Sequence, residues 1–210
     1  MDLASEKRGS RARVKREQIL AGARRVFLRD GFAAASTDAI AAEAKVSKRT
    51  LYVYYPSKED LFADVMRKLT LENPQTRALK SIEEMSPGSE EELRRDLSEL
   101  AQKIVATMMQ PDYLALLRTT IADTHRFPQL GGIFRATVPE RAMRSFAVFI
   151  EKSRERGVVG RDVDGEAARM FIGPLLTYAV LDGLFAEGPP RPPAREKIEE
   201  IVELYIKAIA

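Results

Sequence analysis

Residues 36–62, STDAIAAEAKVSKRTLYVYYPSKEDLF, hold three helix starts in close succession. Ser36-Thr37 offers an N-cap ahead of an Ala-rich run, 38–45, that carries Ile40 and Ala44. Ser47 offers a second cap before another short helix, 48–54. Such caps work because a side-chain oxygen accepts from a backbone N–H that the first helical turn leaves unpaired. Ser57 and Asp60 have the spacing of a capping box, and Leu61, Phe62, Val65 and Leu69 give the helix behind them an apolar face. Upstream, Val14, Ile19, Leu20, Ala23, Val26 and Phe27 trace one stripe that stops at Asp30-Gly31. A longer helix followed by two short ones joined by a turn of a few residues is the helix-turn-helix arrangement.

That arrangement requires the second short helix to project polar side chains from its first turn into a major groove. Lys48, Arg49 and Thr50 stand there. Lys and Arg suit guanine edges or phosphates, and Thr can donate, accept or touch a thymine methyl. Tyr52 and Tyr54 supply hydroxyls at phosphate radius, while Leu51 and Tyr55 can face the core. Thr37 as a cap would place a hydroxyl and free N–H groups near a phosphate, and Lys58 adds a charge at the next helix start. Taken singly, each residue is accounted for as well by a solvated charge or a core aromatic. The ordered set points to duplex DNA.

The period stays helical over the rest of the chain. Pro74 and Pro87-Gly88 break it, Glu90, Glu91 and Glu92 suit a helix N-terminus, and Leu93, Leu97, Leu100, Ile104 and Met108 recur behind them. Leu114, Leu117, Ile121 and His125 share the face of the next segment, and 128–136 forms a shorter piece. Residues 139–156 carry Ala142, Phe146, Phe149 and Ser153 on one side. The segment 166–186 is apolar almost all round and should be buried on more than one side, with a kink at Gly173-Pro174. After the stiff run 188–193, Ile198, Ile201, Val202, Tyr205 and Ile209 form a stripe that Leu204 and Ile206 widen. Excess apolar width on two final helices implies a partner surface, most simply a second copy. No strand signal or internal repeat emerges, so the fold class is all-α.

Composition narrows the function. The 210 residues include no cysteine and one histidine, which excludes disulfides, thiolate metal sites and a cysteine nucleophile and leaves metal binding without a ligand set. No apolar run approaches the roughly 20 residues of a membrane span, and the N-terminus lacks the apolar stretch of a signal peptide, so a cytoplasmic protein without membrane contact is expected. Residues 1–70 hold 15 Lys/Arg against 9 Asp/Glu, whereas 71–210 hold 19 against 22. Lys7, Arg8, Arg11, Arg13, Lys15 and Arg16 form a nearly unopposed basic run, which suits either a polyanion met at one end or a solvated leader. No nucleophile elbow, Gly-rich phosphate loop or metal cluster is present, so neither catalytic residues nor a cofactor are expected. The stretch 162–166, DVDGE, lacks full calcium-loop spacing and reads as a polar turn.

Residues 41–62, AAEAKVSKRTLYVYYPSKEDLF, resemble the signature of the TetR family of bacterial one-component regulators, and the upstream pattern Ile19-Leu20-Ala21-Gly22-Ala23, Phe27, Gly31-Phe32 and Ser36-Thr37 matches that family's first helix and its exit. The resemblance covers about 14–69. It implies DNA contacts at Thr37, Ser47, Lys48, Tyr52, Tyr54 and Lys58, with Arg49 and Thr50 at base-reading positions. Two positions depart from the pattern. Lys45 stands where the turn normally has Gly, so either a lysine is left-handed there or the turn needs no positive φ. Arg49 stands where a small residue is usual. Residues 118–134, RTTIADTHRFPQLGGIF, resemble the AefR-like type of C-terminal domain.

That second likeness implies a helical domain that dimerises through 166–186 and 195–209 and holds an inducer cavity. The expected layout is a basic arm at 1–13, a DNA-binding domain at 14–69 and a ligand-binding and dimerisation domain at 70–210. Inward-facing candidates for the cavity are Leu97, Ile104, Met108, Leu117, Ile121, His125, Phe134, Phe146, Phe149, Phe171 and Tyr178, each of which plain core would also explain. His125 is open between a hydrogen-bonded core or hinge residue and a ligand contact. The stretch 111–132, with His125, Pro128 and two glycines, is the candidate moving element. The combined reading is a homodimeric repressor on a palindromic operator, released by a small, largely apolar effector. A sequence-tolerant architectural DNA binder and a protein-interaction module are the rivals.

Overall fold

A computed structural model describes residues 3–70, 78–137, 139–160 and 166–209, with backbone only for 3–8 and 78–80. Among the described residues every regular element is helical. The helices are α1 (Leu3–Ala34), α2 (Thr37–Glu43), α3 (Lys48–Tyr54), α4 (Lys58–Leu69), α5 (Ala78–Glu84), α6 (Glu90–Met108), α7 (Pro111–Thr124), α8 (Gln129–Thr137), α9 (Pro139–Glu155), α10 (Ala167–Tyr178) and α11 (Arg195–Ile209). A π-helical turn, Ala179–Leu184, continues α10. The chain packs as two compact units: residues 1–67 with 116–134, and 68–115 with 135–210.

In the first unit, Ile19, Leu20, Ala23, Val26 and Phe27 of α1 are buried with Ile40, Leu51, Leu61, Phe62, Val65 and Met66. Three rings interlock at its centre: Phe62 meets Phe27 and Phe32 edge-on, each at 5.2 Å between centroids. Val14 does not join this core and is 62% exposed, because α1 has by then run past its neighbours. Gly31 ends the regular part of α1 with φ 75°, where a side chain would be strained.

In the second unit, α6 packs against α5, α10 and α11, and α10 also touches α9. Phe146, Phe149, Phe171 and Tyr205 form its aromatic centre, with Phe146 and Phe171 stacked at 5.0 Å. Helix α5 was hidden in sequence by its brevity, yet Ile82, and Met85 just beyond it, are buried. The segment 166–186 needs a correction. In the single chain it buries one stripe, Ala167, Ala168, Phe171, Leu175, Ala179 and Gly183, and leaves Met170, Leu176, Leu181 and Phe185 exposed. Residues 167–184 are also long and apolar enough to meet the composition test for a membrane span, with mean hydropathy 1.2, contrary to expectation. Packing of α10 on α6, α9 and α11 buries about a third of this stretch (33%), while Met170, Leu176 and Leu181 stay exposed. The breaker Pro74 and the polar turn expected from Asp162 to Gly165 lie outside the described residues.

Candidate nucleic-acid interface

The geometry of α2 and α3 follows from their caps. Ser36 Oγ accepts from Ala39 N at 3.1 Å, so Ser36 and not Thr37 is the cap of α2. Thr37 is the first helical residue, and its hydroxyl lies 3.3 Å from that of Tyr52. Ser47 Oγ accepts from Thr50 N at 3.1 Å and starts α3. Between the two helices, Val46 N donates to Ala41 O and Lys45 N to Ala42 O, both at 3.0 Å, which is the Schellman pattern. Lys45 holds its left-handed position with φ 53°. The lysine at the usual glycine position is therefore left-handed.

Helix α3 is fixed from behind and open in front. Leu51 and Tyr55 are buried. The Tyr55 hydroxyl donates to Asp64 Oδ2 at 3.0 Å and accepts from Arg16 Nε at 3.0 Å. Asp64 also receives Arg16 Nη2 at 2.6 Å and Arg67 Nη2 at 2.7 Å. Burial alone would raise the Asp64 carboxyl, but these three donors outweigh it and hold its pKa below the ordinary carboxylate value. On the outer face, Arg49 is exposed and makes no hydrogen bond or ion pair with the described residues. Four residues on, Val53 is 76% exposed on the same side of the helix. Sequence reading missed Val53, although its spacing from Arg49 and its place between two tyrosines carried the signal.

The remaining expected DNA contacts divide into available and committed groups. Tyr52 is exposed and Tyr54 half-buried. Lys48 is exposed and pairs with Asp38 at 2.9 Å, a contact that raises its pKa. The hydroxyls of Ser47 and Thr50 lie 2.8 Å apart. Lys58 is engaged within the fold. Its ammonium donates to Phe32 O at 2.8 Å and Ala35 O at 2.9 Å and sits 4.3 Å from the Phe32 ring centroid. Burial there lowers its pKa. Carbonyls left over at the exit of α1 take this cation, which ties the start of α4 to the loop into α2.

Residues 19–65 match the TetR family of bacterial regulatory proteins, and residues 95–209 match the AefR-like transcriptional repressor C-terminal domain. The chain belongs to the TetR family. Its C-terminal domain is of the AefR-like type, and the family is one of transcriptional regulators rather than enzymes. The flavonoid-responsive regulator FrrA is 32% identical to this TetR-family chain, with 92% of this chain and 96% of FrrA covered and a TM-score of 0.65. A TetR-family transcriptional regulator from Mesorhizobium loti has a TM-score of 0.73 at 26% identity, over 94% and 96% of the two chains. The HTH-type transcriptional repressor SCO4008 of Streptomyces coelicolor is 48% identical over 46 residues, 22% of this chain and 24% of that one.

The expected ligand-facing residues of this TetR-family chain fall into both compact units. Leu117, Ile121, His125 and Phe134 belong to the first; Ile104, Met108, Phe149, Phe171 and Tyr178 belong to the second. Leu117 is buried, but Ile121 is 58% exposed. His125 is exposed as well; it lies one residue past the end of α7 at Thr124, on a face that is already open at Ile121. Phe149 and Phe171 are packed core. Ile104 and Met108 are half-buried against that core, and Tyr178 and Phe134 are also half-buried. A groove of about 580 Å³ is lined by Arg94, Arg95, Glu99, Arg195, Glu199 and Glu203, among others, and by none of the expected residues. Within it Arg94 pairs with Glu203 and Arg195 with Glu199, and Arg94 also pairs with Glu90 outside the groove.

Proposed function

We propose that this chain is a ligand-responsive repressor that binds a two-fold operator as a homodimer and leaves it when a small, largely apolar effector binds. The observation that carries this reading is α3 itself: a short helix anchored by Leu51 and Tyr55 that turns Lys48, Arg49, Thr50, Tyr52 and Val53 outward. Arg49 would take a guanine edge and Val53 a thymine methyl. Thr37, Tyr52, Tyr54 and Lys48, with Ser47 at the cap, would set the register on phosphates. In this proposal residues 14–69 bind DNA, 70–210 bind ligand and dimerise, 1–13 form a basic arm, and the protein works in the cytoplasm.

Dimerisation is supported by Met170, Leu176, Leu181, Phe185 and Leu204, which stand exposed on the last helices; Phe185 is 72% exposed. A similar relative is named as flavonoid-responsive, which motivates a planar aromatic effector as the first class to try. The stretch 111–132 is the proposed moving element. In the first unit it is fastened by Asp123 Oδ2, which accepts from Ala33 N at 2.9 Å, and by Phe127, 5.4 Å from Phe32. Effector binding would favour the conformer that misplaces α3, a shift of population.

The test starts from the full chain on a labelled duplex taken from the DNA flanking its own gene. Flavonoids and other planar phenolics are titrated into the complex, and sedimentation counts subunits per duplex. Two subunits and release by at least one compound class support the proposal. A monomer on DNA, or a complex indifferent to the whole panel, contradicts it.

A further inference from the structure

Two observations outside α3 point to the same place. The first is the root of α1. Gln18 Nε2 donates to Ala44 O at 2.6 Å, Lys15 Nζ donates to Gln18 Oε1 at 2.9 Å, and Gly22 lies directly against Ala44. One stripe of α1, positions 11, 15, 18 and 22, therefore faces the turn that leads into α3. On the other side Arg16 is held by Asp64 and Tyr55. N-terminal to this fastened root the helix continues without a core, and Arg11 stands exposed about 10 Å beyond Gln18 with no ion pair among the described residues. The second observation is Lys45. It occupies a left-handed position that glycine fills at no steric cost, and its side chain is exposed two residues before the cap of α3. A backbone outlier of this kind motivates a role for its side chain.

We propose that Arg11 and Lys45 form a second DNA contact, a backbone clamp set beside the groove that α3 reads, with Lys15 and Gln18 as positioning residues. The inference rests on the DNA-binding reading and goes beyond it, since the family match begins at residue 19 and leaves the arm outside. The ligand is the phosphate backbone of duplex DNA. The Arg11 guanidinium on α1 and the Lys45 ammonium in the turn would meet an array of one negative charge per about 1.7 Å of duplex axis, and such contacts carry affinity without reading sequence. Arg13, equally exposed and free but about 200° around the helix from Arg11, is left out of the clamp.

The experiment is fluorescence anisotropy of the full chain on a labelled mixed-sequence duplex of about 30 base pairs, over a range of NaCl concentrations. The variants are Arg11→Ala, Lys45→Gly, the double variant and Arg13→Ala, which removes the same charge as Arg11→Ala from a different stripe. Removing one cation from a phosphate should flatten the plot of log affinity against log salt by about 0.9, so the double variant should lose about 2 per bound subunit while Arg13→Ala changes little. The loss should be equal on a scrambled duplex, and circular dichroism should show all variants folded. An unchanged slope in the double variant, or an Arg13→Ala effect equal to that of Arg11→Ala, overturns the clamp. Wild-type protein that binds neither duplex at low salt overturns the DNA-binding reading itself, a separate result.

Discussion

Lys45 and Tyr205 show how single residues in this chain trade stability for position. A left-handed non-glycine residue costs roughly 1 kcal/mol, so Lys45→Gly should raise unfolding free energy by about that amount in urea titrations. An unchanged or lower stability would mean that the lysine side chain contributes more to the fold than its exposure allows. Tyr205 is buried beside Phe146 and Phe171, and its hydroxyl finds no partner in the described residues. An unsatisfied buried hydroxyl costs about 1–3 kcal/mol, so Tyr205→Phe should stabilise the protein by a similar amount. A destabilised Phe variant would show that the hydroxyl is paired in solution. Sequence raised the question of Lys45 and left its conformation open. It gave no warning about Tyr205, because a stripe residue shows its burial and not the partners of its polar end.

Between elements, the closest approach is that of α1 to α2 at Gly22. A Cβ built there would lie 2.7 Å from Ala44 Cβ and 2.8 Å from its backbone. Exposed helical glycines gain about 1 kcal/mol on becoming alanine. Gly22→Ala should reverse that sign and cost about 1–3 kcal/mol, read as a lower Tm, because the two helices must separate. A neutral or stabilised variant would contradict the close packing that aims α3. Asp64 ties α1, the end of α3 and α4 together. Its folded pKa is depressed, so its contribution is complete above the unfolded value near 3.9 and is lost as pH falls through the folded pKa. Asp64→Asn should cost about 2 kcal/mol at neutral pH and flatten the acid limb of the stability curve. An acid limb identical to wild type would place the titrating group elsewhere. Most helix limits were legible, since caps and stripes are local signals. Lys58 was not, because its carbonyl partners lie 23 and 26 residues upstream and nothing local distinguishes it from a surface lysine. His125 continued a face by count, but that face is already open at Ile121, before the helix ends.

At the scale of the whole molecule, charge and apolar surface are segregated along the chain. The basic excess lies in residues 1–70, and the exposed apolar residues of α10, its π-helical continuation and α11 lie near the other end. That division was legible from composition and from the excess width of the final helices. The proposed effector site was not, because a stripe of Phe and Met looks the same whether it lines a cavity or fills a core, and Phe149 and Phe171 fill one. In the proposed function, regulation depends first on α3 reading DNA through its outward face. The most direct measurement is the affinity of wild type and Arg49→Ala for the duplex flanking its own gene and for a scramble of equal length, at several salt concentrations. Wild type should prefer the native duplex by about 10³ or more. Arg49→Ala should lose about 10- to 100-fold of that preference while still binding both duplexes. Equal wild-type affinity for both, no binding to either at low salt, or an Arg49→Ala preference unchanged from wild type would contradict that role for α3.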